Sequence, residues 1–149
     1  MMLLALTLVV GLVQPPGAAR PNIPMMTEMP TMKTIDKGDH SNMDDAKQVA
    51  VKTEVAWKQL WQQHSPDRPR PAVDFTKEMA VGVFLGSRPT AGYKVEIVGA
   101  SETNGTLVVR YREAPPPRGM MTAQVVTSPY HVVTVPFFPG DVKFERVQP

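Results

Sequence analysis

Hydrophobic and polar positions alternate along most of this chain, in short runs separated by turn-forming residues. Across residues 80–98, AVGVFLGSRPTAGYKVEIV, Val81, Val83 and Leu85 recur on one side of the first run. Tyr93, Val95 and Ile97 recur on one side of the second. A period of two is that of half-buried strands, and the Gly- and Pro-containing segment 86–92 between them predicts a hairpin. Residues 106–113 repeat the pattern, with Leu107, Val109 and Tyr111 on one face and Val108, Arg110 and Arg112 on a solvated face. The Asn104-Gly105 pair just before them predicts a tight hairpin turn.

Further strands are expected over 122–127, 131–136 and 141–147, and at the start of MKTIDKGDHS, where AKQVAVKT (46–53) reads as the partner with Val49 and Val51 inward. The period changes once. Val55, Trp57, Leu60, Trp61 and His64 follow a helical spacing, Thr53 is a suitable N-cap, Glu54 suits the positive end of the helix dipole, and Ser65-Pro66 ends the run. Each tryptophan ring withdraws about 150–250 Å² from water when buried, so both are expected to lie against the sheet. About seven short strands and one helix predict a mainly β fold, a small antiparallel sandwich or barrel with the helix packed on it.

The first 19 residues depart from this alternation. They carry no charged side chain, run apolar from Leu3 to Val13, and end in Gly17, Ala18 and Ala19 before Arg20. That is the layout of a secretory signal peptide cleaved near Ala19, and the apolar run is shorter than the ~20 residues that span a bilayer. Residues 20–32 are rich in Pro and Met and have no period, which predicts a mobile arm, and 33–149 form a single β-rich domain. Met26, Met29 and Met32 recur every third residue beside Met25. Thioethers suit Cu(I), so copper handling by this arm is one functional expectation. The chain has no cysteine, which excludes disulfides, thiolate metal sites and a lipidated N-terminal cysteine. A secreted or periplasmic bacterial protein is the expectation. The net charge of +2, with both signs mixed, argues against a nucleic-acid partner.

Candidate chemistry is sparse. His40, His64 and His131 fall in a turn, at a helix end and at a strand start, without the spacing of a metal pair, and no hydrolase or phosphate-loop motif occurs. Tyr130 and His131 are neighbours on a strand and should point to opposite faces. Asp36 with Asp39, or Asp44 with Asp45, gives at most solvated turn carboxylates. A protein that is not an enzyme, with no cofactor and no metal site, is therefore expected.

The block 57–147 resembles the C-terminal domain of the PrcB family, exported bacterial proteins named after a component of a surface protease complex. The resemblance is carried by the Trp57/Trp61 helix, VGVFLG (81–86), PTAGY (89–93) with Val95 and Ile97, the proline-rich break after Ala114, SPY (128–130) with Val132 and Val133, and Val142 with Phe144. It implies a protein partner, a protease or an envelope complex. The family's common turn has Gly-Gly-Tyr where this chain has Ala91-Gly92-Tyr93. Locally, RPTAGY (88–93) is also similar to the Asn-Pro-Thr-Thr-Gly-Tyr loop of chagasin-type cysteine-protease inhibitors, over Pro89, Thr90, Gly92 and Tyr93. Direct protease inhibition is thus an alternative expectation. The residues expected to bind a partner are Arg88, Pro89, Thr90, Ala91, Gly92 and Tyr93, with Pro116 and Arg118 of the proline loop as a second contact. Pro89 restricts the backbone before binding and lowers the cost of ordering the loop.

Overall fold

In a computed structural model that describes residues 27–28 and 32–148, the chain forms two packed sheets and one helix, β1 (Thr27–Glu28), β2 (Lys33–Gly38), β3 (Lys47–Val51), α1 (Glu54–His64), β4 (Glu78–Phe84), β5 (Lys94–Thr103), β6 (Thr106–Ala114), β7 (Tyr130–Pro136) and β8 (Asp141–Val147). One sheet has the order β1-β5-β6-β8 and the other β2-β7-β4-β3. The mainly β sandwich with one helix is as the alternation predicts. Seven strands have five residues or more. All pairings are antiparallel except β6 with β8, because β8 returns from the opposite sheet and enters running the same way as β6.

The layers follow from how β4 is buried. Met79, Val81 and Val83 face the other sheet and pack with Val95, Ile97, Leu107, Val109, Val133 and Val135. Ala80 and Phe84 face the opposite way and pack with Val51, Trp57, Leu60, Trp61 and Val132 beneath the helix. Covered on both faces, the strand is apolar from Met79 to Phe84, and it sits in the middle of its sheet between β7 and β3.

This corrects the predicted hairpin. β4 and β5 belong to different sheets, and residues 85–93 cross between them. Sheets pack about 10 Å apart, a gap this long connection spans and a two-residue turn does not. The expected pairing of β2 with β3 is also corrected. They are the two edges of one sheet, with β7 and β4 between them. Each holds its inward face by packing on a central strand, which the alternation shows without showing which strand lies beside it.

The helix has the predicted bounds. Thr53 accepts from the Ala56 amide, the Ser65 amide reaches the Trp61 carbonyl, and Trp57 and Trp61 are buried against the sheet. Their indole nitrogens donate to the carbonyls of Pro71 (2.9 Å) and Arg68 (2.8 Å), so burial leaves no orphan donor. Asn104 and Gly105 both have positive φ and close the β5–β6 hairpin with Thr103 opposite Thr106, as the sequence predicts.

The signal segment 1–19 and most of the arm 20–32, with Met25, Met26 and Met29, lie outside the described residues. Within that arm Thr27–Glu28 pairs with Ser101 and Glu102, and Met32 packs against the inter-sheet core.

Candidate functional site

The connection 85–93 leaves the double-buried β4 and is tied down almost residue by residue. The Leu85 amide donates to Pro129 O (2.9 Å), Ser87 to Asp44 O (2.9 Å), Arg88 to Thr127 O (2.7 Å) and Ala91 to Ala123 O (3.0 Å). In return Thr127 gives its amide to Arg88 O (2.9 Å) and its hydroxyl to Thr90 O (2.9 Å). At Gly86 the backbone has φ +75°, and a Cβ there would stand 2.7 Å from Asp44 O and 2.8 Å from Ala46 N, so no larger residue fits. Three segments, 39–46, 86–93 and 115–128, therefore meet at one end of the sandwich.

The predicted contact residues are brought together here. Pro89 and Gly92 are exposed, Arg88, Thr90, Ala91 and Tyr93 are half-buried, and the Arg88 guanidinium lies 5.9 Å from the Tyr93 ring centroid. A Cβ on Gly92 would lie 3.1 Å from the Pro116 ring, so the proline loop abuts the turn, with Arg118 exposed beyond it. Tyr93 belongs to the surface rather than the core. With Gly92, Lys94 and Val95 it lines a cleft of about 340 Å³ closed on the other side by Lys37, Gly38 and Asp39.

The expected strand over 122–127 does not form. Apart from the Arg88–Thr127 bridge, residues 120–127 are irregular, and they carry Met120 (63 % exposed), Met121 (100 %), Val125 (50 %) and Val126 (71 %). Apolar side chains stand in water beside a loop in which the Leu85, Ser87, Arg88 and Ala91 amides are already bonded. The signal was in the sequence: MMTAQVV places its apolar residues in pairs, which no strand can turn to one face.

A second polar constellation lies on the helix side. A bulge between Thr34 and Asp36 shifts the register of β2, and Ile35 and Asp36 both turn toward α1. Asp36 accepts from His64 Nε2 (2.8 Å), Arg68 Nη2 (2.5 Å) and the Tyr130 hydroxyl (3.0 Å). Burial pushes its carboxyl up, but the bonds from Arg68, His64 and Tyr130 outweigh that and hold it below the usual carboxylate range. Desolvation lowers the His64 pKa despite the carboxylate beside it, so the ring is neutral, donating from Nε2 to Asp36 and accepting at Nδ1 from Ser41 Oγ (2.8 Å).

Hydroxyl, imidazole and carboxylate in a chain have the look of a nucleophile relay. The amides of Ser41, Asn42 and Met43 are spent on Ser128 O, His64 O and Ser41 Oγ, so these three are not free to hold an oxyanion. The cluster fastens edge strand β2 to the helix.

His131 points the other way from Tyr130, as expected. It is buried between the sheets, accepting at Nδ1 from the Ile97 amide (2.8 Å) with Nε2 on Thr34 Oγ1 (2.8 Å). Burial, and then the charge of Lys37, push its pKa down to about 4. His40 is an exposed turn residue against Asp39. Among the described residues no three His, Asp or Glu side chains come together as a metal site, and no helix is long and apolar enough to cross a membrane.

Residues 79–136 match the family described as PrcB C-terminal, which bears out that resemblance over β4 to β7 and takes in the whole of the 86–93 crossing and the 115–128 segment. No curated protein and no solved structure matches the chain.

Proposed function

We propose that this protein, in which residues 79–136 form a PrcB C-terminal domain, is an exported binding module without catalytic activity that docks a protein partner at the three-segment end of its sandwich. The partner is a protease or a protease-containing envelope assembly, the association the family suggests. The observation that carries the reading is the pre-ordered loop 86–93 beside solvent-exposed Met120, Met121, Val125 and Val126. Immobilised before binding, the loop loses little further entropy in a complex, and the apolar side chains gain by leaving water. Arg88, Pro89, Thr90 and Tyr93 form the preformed part of the contact, and Pro116 and Arg118 extend it. Capture of an exported protease from cells that make the protein, by the wild type but not by an Arg88→Ala/Thr90→Ala variant, is the expected result. Equal capture by both contradicts the site.

A second reading is direct inhibition of a papain-like protease. It is favoured by the convergence of 39–46, 86–93 and 115–128 at one end, an arrangement suited to wedging into a cleft. Titration of papain activity with the protein checks it: a stoichiometric end point is expected, and unchanged activity excludes it.

A further inference from the structure

The two sheets end in four edges, and they are not equally protected. β2 is bulged and clasped by its Asp36 to the helix, β8 presents Lys143, Glu145 and Arg146, and the described part of β1 is two residues long. Bulges, charges and short length are the usual means of blunting an edge. β3, though only five residues long, has neither a bulge nor a charge along its centre. Lys47–Val51 pairs with β4 over five residues without a register shift, carries one charge at its first position, and has no strand on its outer side among the described residues. Between this edge and α1 runs a groove of about 170 Å³ lined by residues of β3, Lys47 at its end included, and by Ala56, Gln59, Leu60 and Gln63 of the helix.

We infer that this edge is where a second copy of the chain docks, β3 against β3, independently of the loop end. The occupant is a second copy because the strand is complementary to itself. Antiparallel pairing about a two-fold axis at Val49 keeps all five residues paired and sets Val49 opposite its counterpart. It also places Lys47 opposite the second copy's Val51 and Gln48 opposite its Ala50, so no like charges face each other. Val49 packs on the helix-side core, so its counterpart would stand on the same face and fill the groove beside Leu60. Two four-stranded sheets become one of eight strands, and the free amides and carbonyls of the edge are satisfied.

The chain has no cysteine, so one introduced thiol reports on one position. Residues directly opposite in an antiparallel pair have Cα atoms about 4.5–5.5 Å apart, within the reach of a disulfide. In the full-length protein, Val49→Cys is expected to form a cross-linked dimer under mild oxidation far faster than Gln62→Cys on the exposed face of α1. A mixture of Gln48→Cys and Ala50→Cys proteins should cross-link, whereas each alone should cross-link slowly. Sedimentation of the wild type should shift toward a dimer with rising concentration, and Val49→Lys, which sets two ammonium groups face to face, should stay monomeric with an unchanged far-UV spectrum. A wild type that sediments as a monomer at every concentration, or Val49→Cys cross-linking no faster than Gln62→Cys, overturns the inference.

Discussion

Two regions of this molecule invert the usual placement of polar and apolar groups, in opposite senses. Under α1, His64 and Tyr130 are buried, and with the half-buried Asp36 and the exposed Arg68 they form a closed set of hydrogen bonds. At the loop end Met120, Met121, Val125 and Val126 stand in water beside a backbone tied down through the amides of Leu85, Ser87, Arg88 and Ala91. A buried polar group costs free energy unless every bond is made, so the first region is invested in the fold. Exposed apolar surface contributes nothing to the isolated domain, and the second region is the surface proposed to meet a partner. The difference separates what holds the protein together from what it presents.

The comparison breaks most readily at Asp36. Asp36→Ala leaves the buried His64 Nε2–H without its acceptor and removes the anchor of Arg68, and it is expected to lower unfolding free energy by about 3 kcal/mol in denaturant titration. Slightly less reversible in meaning but similar in size is the pH effect of His131. Its pKa is about 4 in the fold against 6.5 when free, so the unfolded chain binds the proton first as pH falls. Stability is fully present above pH 6.5 and is lost between there and pH 4, by about 3 kcal/mol. His131→Gln, which can accept from Ile97 and donate to Thr34 without titrating, should flatten that slope in thermal melts across the same range.

Gly86→Ala tests the join between the regions. The added methyl meets the Asp44 and Ala46 backbone at a positive φ, and a loss of about 2 kcal/mol is expected, with faster amide exchange at Ser87 and Arg88. The smallest effect on stability belongs to Met121→Ser with Val126→Ser, within about 0.5 kcal/mol of the wild type by the same titration.

Much of this was legible in the sequence, and for local reasons. Thr53, Trp57 and Trp61 mark a helix because capping and helical spacing act within a few residues, and Asn104-Gly105 marks a hairpin because a tight turn is set by its own φ angles. Strand neighbours were another matter. Alternation shows which face of β4 or β5 is apolar, but both faces of β4 are covered, and a partner in the other sheet leaves no mark on period two. Period two alone therefore predicts a hairpin where the chain crosses between sheets. Of the site, Arg88 to Tyr93 and Pro116 were legible as a proline- and glycine-shaped loop. Their partners Thr127 and Ala123 were not, since that contact joins residues more than thirty positions apart. The Asp36 cluster draws from β2, α1, the following loop and β7, and no short motif spans them.

The central claim is that the exposed apolar residues of the loop end, and not exposed apolar residues in general, hold the partner. Quantitative capture from cells that make the protein, comparing the wild type, Met121→Ser/Val126→Ser, and Val55→Ser on the exposed start of α1, tests it most directly. The account predicts that an exported protease is retained equally by the wild type and Val55→Ser and falls at least tenfold with the loop-end pair. Equal retention by all three proteins, or a loss with Val55→Ser as large as with the loop-end pair, would contradict it.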